Sequence, residues 1–266
     1  MSTGVLSDED IDRFVADGFV HLRQVVPAAV VTAGLDVIWS DLGQRPDDPS
    51  SWTRPVIRLL PSDAGAFQDA FHRSRLWAAF DQLVGVGRWL PRSDLGLFVV
   101  RFPHRDHPGD TGWHIDSSYP PDEGFTEDFS QWRVNVASRD RALLLLFLYS
   151  DVGADDAPTQ IRVGSHLDVP SVLFPAGIDG MTGLQASELA ADVSGSRPTT
   201  LATGRAGDVY LCHPFLVHAA QPVRSGTPRC IAQPPLAPRE PLVLERADGA
   251  YSPVETGIRR GLGGAL

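Results

Sequence analysis

The step His114-Ile115-Asp116 sets a nitrogen donor and a carboxylate two residues apart, and in an extended strand such residues point to the same side. Both can then grip one metal ion. Alone the tripeptide is common and mostly sits on solvated strands, so it carries weight only with a third ligand. The remote run from Gly207 to Ala220 supplies one in His218, with His213 as a competitor in the same run. Two histidines and a carboxylate form a facial triad, which leaves adjacent coordination positions open. That suits a non-haem Fe(II), which must bind a chelating cosubstrate and then dioxygen. Eleven residues past His218 stands Arg229, after a turn through Arg224-Ser225-Gly226-Thr227-Pro228 that can return the chain as a neighbouring antiparallel strand. Its planar fork matches the distal carboxylate of 2-oxoglutarate, whose keto-acid end would chelate the iron.

These residues need a scaffold that brings distant strands together. Beyond Pro91, short β-type runs alternate with Gly and Pro: 97–102, 143–149, 160–163, 208–211 and 229–233. They predict a β-core over about 91–240. Before it the chain is helix-rich. Ser7 ahead of Asp8-Glu9-Asp10, with Ile11, Phe14 and Val15, reads as a capped amphipathic helix ended by Gly18. Residues 19–22 read as a strand, 27–42 as a second helix, and 67–83 as one more, carrying Phe71, Leu76, Phe80 and Leu83 on recurring positions. The segments 120–131 and 177–198 read as loops or lids, the second with a short helix at 186–191. One domain spanning 1–266 is the expectation, mainly β with flanking helices.

Composition narrows the partners. The formal charge is −10 and the sequence contains no lysine, so an anionic cosubstrate must meet arginine. An acidic surface repels phosphate backbones and anionic lipid headgroups, which argues against nucleic acid and membrane partners. The longest apolar run, 142–149, is far short of the roughly 20 residues of a membrane-spanning helix. Two cysteines do not make a disulfide scaffold, and a cytoplasmic protein acting on a small molecule is the natural reading.

The chain resembles the phytanoyl-CoA dioxygenase family of Fe(II)/2-oxoglutarate-dependent oxygenases over nearly its whole length. The resemblance rests on Asp17-Gly18-Phe19-Val20, on Trp113-His114-Ile115-Asp116, on the segment from Ala157 to His166, and on Gly207 through Arg229. It implies a double-stranded β-helix (jelly-roll or cupin-like) core, a triad of His114, Asp116 and His218, and Arg229 as the 2-oxoglutarate arginine. It favours His218 over His213, whose spacing to Arg229 fits less well. It also implies that Trp132, eighteen residues after His114, contacts 2-oxoglutarate. Two departures stand out: Val163 replaces a common proline, and Ala220 replaces a hydroxyl that often helps bind the cosubstrate, a gap that Thr111 is placed to fill.

Asp116 disfavours halogenation, because a related halogenase would need that carboxylate replaced to admit chloride. Hydroxylation is the first expectation, with epimerisation, desaturation or cyclisation as outcomes of the same oxidative chemistry. Gln160, Arg101, Arg58 and Arg162 are the candidate substrate contacts. Abundant Arg, Ala and Gly without Lys point to a GC-rich bacterial genome and specialised metabolism, such as antibiotic biosynthesis. The competing class is a non-catalytic β-barrel holding zinc or a small ligand. Such a protein has no evident need of both the triad and Arg229.

Overall fold

The computed structural model describes residues 4–121, 124, 126, 128 and 131–263. Ser7 and Asp10 cap α1 (Asp8–Asp17) reciprocally, and Gly18, at φ 90°, ends it. There follow β1 (Phe19–Leu22), α2 (Ala28–Leu42), β2 (Val56–Leu59), α3 (Gly65–Phe71) and α4 (Ser74–Val84). The helix expected over 67–83 is therefore two. Arg73 takes an extended conformation between them, while Phe71 and Phe80 keep their place in the core on either side of the break. Apolar spacing alone could not show the break, because the same face stays buried through it.

The β-rich part runs β3 (Phe98–Arg101), β4 (Arg133–Val134), β5 (Leu143–Leu148), β6 (Thr159–Arg162), α5 (Val169–Leu173), β7 (Met181–Thr182), α6 (Gly183–Val193), β8 (Thr199–Ala202), β9 (Val209–Cys212), β10 (His218–Ala219), β11 (Arg229–Ala232), β12 (Pro235–Leu236) and α7 (Pro253–Leu262). Among the described residues the major sheet has the order β1-β9-β5-β11-β3-β2, with β12 also on β5, and the minor sheet the order β10-β6-β8. All of their pairings are antiparallel. The two sheets form a double-stranded β-helix, or jelly roll.

Strand alternation sorts the core into two layers. Leu144, Leu146 and Leu148 of β5 meet Val99, Tyr210 and Ile231 of the major sheet and Ile161 and Ala202 of the minor sheet, filling the space between the sheets. Leu143, Leu145 and Phe147 face the other way, into a cluster with Phe14, Ile38, Phe67, Phe80 and Ile258 from the helices. Both faces of β5 are thus covered, which is why it reads as an unbroken apolar run rather than an alternating one. The segment expected as a loop at 177–198 is more ordered than its composition implied. It holds β7 and the whole of α6, whose start is capped by Thr182 and Gln185.

Candidate active site

His114 and His218 exchange backbone hydrogen bonds as an antiparallel pair, His114 N–H to His218 O at 3.0 Å and His218 N–H to His114 O at 2.9 Å. Residues so paired share a face of the sheet, and the two imidazole centroids lie 4.3 Å apart. Asp116, two residues on, points the same way, while Ile115 between them turns into the helix-side core. One ligand atom from each of the three residues lies within 4.8 Å of the others. The Nδ1 of His114 donates to the Gly112 carbonyl at 2.8 Å and that of His218 to the Leu216 carbonyl at 3.0 Å. A carbonyl can only accept, so each Nδ1 carries the proton and each Nε2 keeps its lone pair for a metal. Burial, with His114 alongside, pushes the His218 pKa down to about 4, so the ring is neutral at neutral pH.

Asp116 has a partner that sequence reading missed. Arg141, just ahead of β5, donates to Asp116 Oδ2 at 3.1 Å and to the Ser117 carbonyl at 2.9 Å. Burial works against charge on Asp116, yet the Arg141 guanidinium beside it holds its carboxyl below the usual range. Oδ1, 3.9 Å from His218 Nε2, is the oxygen on the metal side. Nothing in the sequence marks Arg141, because its contact with Asp116 depends on how the turn at 138–141 folds back.

Arg229 starts β11 on the face that carries Ile231 into the inter-sheet space, and it is 2% exposed. Its Nη1 donates to the Ala157 carbonyl at 2.7 Å, whereas its Nε is buried without a hydrogen-bond partner. Burial and then Arg101 push its pKa down to about 9, still well above neutral. A buried guanidinium with an unmatched donor is what a carboxylate site requires, and a neutral histidine pair with a carboxylate is what a divalent iron requires. The residues fit both groups.

The other expected residues divide. Arg101 is the direct cross-strand partner of Arg229, and Arg101 and Arg58 both contact Asp110. Thr111, half-buried, follows Asp110 on the segment leading to His114. Trp132 gives its indole N–H to the Thr126 carbonyl at 2.9 Å. Gln160 and Arg162, expected as substrate contacts, lie on the other face of the minor sheet from the metal ligands. Ile161 is the register partner of His218, so the residues flanking it face the opposite side of the minor sheet. There Arg162 lies over the Trp113 ring at 4.4 Å and donates to Ser194 Oγ at 3.0 Å and to the Ala191 carbonyl at the end of α6. His213, the rejected ligand, is buried beneath α7, with its Nε2 3.2 Å from the Val254 carbonyl. Of the expected loop at 120–131, positions 122, 123, 125, 127, 129 and 130 lie outside the described residues.

Fold and site together define a class, the Fe(II)/2-oxoglutarate-dependent oxygenases built on a double-stranded β-helix. The family model for phytanoyl-CoA dioxygenase (PhyH) matches residues 14–231, and the chain belongs to that family. Among solved structures it is similar to HygX from Streptomyces hygroscopicus with nickel, 2-oxoglutarate and hygromycin B bound, at 19% identity and a TM-score of 0.54, covering 88% of each chain. It is similar to EctD from S. alaskensis with 2-oxoglutarate and 5-hydroxyectoine, at 18% identity and TM-score 0.58, over 89% of this chain and 77% of that one. A third is the epimerase SnoN in complex with Fe3+, alpha ketoglutarate and nogalamycin RO, at 20% identity and TM-score 0.57, over 85% and 81% of the two chains. No curated protein matches the chain in sequence.

Proposed function

We propose that this oxygenase oxidises a small molecule of bacterial specialised metabolism, most simply by hydroxylation, with iron held by His114, Asp116 and His218. The observation that carries this reading is the convergence of those three ligand atoms, with both Nδ1 protons tied to carbonyls, in the inter-sheet space that Arg229 also enters. Bound iron supplies the oxidative chemistry, in which 2-oxoglutarate and dioxygen become succinate and carbon dioxide as a substrate C–H bond is oxidised. The chain supplies position. His114 and His218 present neutral nitrogens, Asp116 presents one oxygen while Arg141 holds the other, and Arg229 takes the distal carboxylate of the cosubstrate. Trp132 offers its ring to the cosubstrate, since its N–H is already given to Thr126, and Thr111 lies on the segment between Asp110 and His114. Arg58, on the edge strand β2 with its side chain 47% exposed, and Arg101, which shares Asp110 with it, are the contacts for substrate in this reading.

Hygromycin B, 5-hydroxyectoine and nogalamycin RO, bound to the three similar proteins, support a small-molecule substrate. The epimerase among them keeps stereochemical inversion as an outcome of the same site. Mass spectrometry of products from a substrate panel tests the reading. Hydroxylation adds one oxygen, desaturation or ring closure removes two hydrogens, and epimerisation leaves mass unchanged but shifts retention. Consumption of 2-oxoglutarate that no small molecule in a broad panel accelerates, set beside clear acceleration by a peptide or a nucleic acid, would overturn it.

A further inference from the structure

Two arginines stand side by side in the space between the sheets with too few partners. Arg229 and Arg101 are directly opposite on β11 and β3, and each is only 2% exposed. Like charges directly opposite repel, and an unmatched buried guanidinium costs several kcal/mol, so such a pair persists only when something anionic compensates it. Arg101 gives Nη2 to Asp110 Oδ2 at 2.7 Å, which leaves its Nε and Nη1 buried without partners, as is the Nε of Arg229. Arg101, Arg229 and Asp110 sum to one positive charge, which a single carboxylate would neutralise. Arg58 adds little to that sum, because it is half exposed and its charge is met by water as well as by Asp110.

We infer that Arg101 is a second ligand for the distal carboxylate of 2-oxoglutarate, forming with Arg229 a two-arginine clamp. The inference rests on the oxygenase reading above and moves Arg101 from the substrate to the cosubstrate. Asp110 orients the clamp by holding one nitrogen of Arg101 and turns its remaining donors to the carboxylate. The mutual repulsion of the two guanidiniums, already visible in the downward pull of Arg101 on the Arg229 pKa, is relieved when the anion enters.

The test compares binding of 2-oxoglutarate with that of 2-oxovalerate, which keeps the keto-acid end and lacks the distal carboxylate, to Mn(II)-loaded protein by calorimetry. Wild type should prefer 2-oxoglutarate strongly. Arg101→Gln should cut that preference about tenfold, as expected for one lost charged hydrogen-bonding partner, with Mn(II) affinity unchanged. Arg101→Lys, which keeps charge but loses the fork, should cut it several-fold and serves if the Gln variant does not fold. An unchanged preference in the Arg101 variants, beside a collapsed one in Arg229→Gln, overturns the clamp and leaves the oxygenase reading standing. Equal loss of 2-oxoglutarate and 2-oxovalerate binding also overturns it, since that marks a general structural role. No preference in wild type overturns the oxygenase reading itself.

Discussion

At the scale of single residues, the site depends on which atom of each side chain is left free. His114 and His218 spend Nδ1 on carbonyls, and Asp116 spends Oδ2 on Arg141, so each offers one atom to a metal. Replacing His114, Asp116 or His218 by Ala should abolish 2-oxoglutarate turnover, measured as succinate, while the fold persists by circular dichroism. Arg141→Met keeps all three ligands but releases Asp116. The cost should be about 10–100-fold in metal affinity, as for other groups that orient a ligand, and calorimetry with Mn(II) reads it directly. Arg229→Gln should raise the KM for 2-oxoglutarate about 10–100-fold with little change in kcat at saturation. The convergence of His114, Asp116 and His218 was legible in the sequence because their spacing has a chemical meaning. Arg141 was not, because its meaning lies in a contact across 25 positions of chain.

At the scale of elements, strand alternation decides which side chains enter the space between the sheets. The alternation that carries Arg229 and Arg101 inward carries Gln160 and Arg162 outward, and only the register of β6 against His218 tells which is which. Register is a long-range property, and the sequence of β6 alone is compatible with either face. α6 was read as a short helix in a loop because Gly177 to Pro198 is poor in large apolar side chains. Its order comes from polar contacts together with Ala186 and Ala190, small side chains fully buried in the helix-side core. Ser187 bonds the Ile115 carbonyl, Arg162 grips its far end, and Asn135, Tyr119 and Arg133 bond carbonyls at 178–180. Gly180 belongs to this clasp, with φ 62° and with any added Cβ 2.2 Å from the Val134 carbonyl. Gly180→Ala should therefore cost more than about 1 kcal/mol in urea unfolding and lower turnover by shifting the wall behind the triad.

At the scale of the whole molecule, α1 and α7 close over the β-core through a buried histidine pair. His166 and His213 lie 4.7 Å apart, bonded to the Val15 and Val254 carbonyls respectively. Burial pushes His166 down to about 4 and His213 well below its ordinary value, so both are neutral in the folded protein. Once unfolded they titrate near 6.5, so between about pH 6.5 and 4 the unfolded chain binds protons that the folded chain refuses. Stability should therefore fall as pH drops through that window, with His166 contributing about 2 kcal/mol between pH 7 and 5 and His213 acting in the same direction. Urea midpoints measured across that range should slope less in His166→Gln than in wild type, and parallel slopes would refute the assignment. Among the described residues no helix is long and apolar enough to cross a membrane.

The measurement that bears most directly on the triad is succinate formation by purified protein supplied with Fe(II), 2-oxoglutarate and dioxygen, run beside His218→Ala. Wild type should convert 2-oxoglutarate to succinate even without its true substrate, by slow uncoupled turnover, and the variant should not. Succinate formed equally by both would remove His218 from the metal, and none formed by wild type, with no 2-oxoglutarate bound, would contradict the account as a whole.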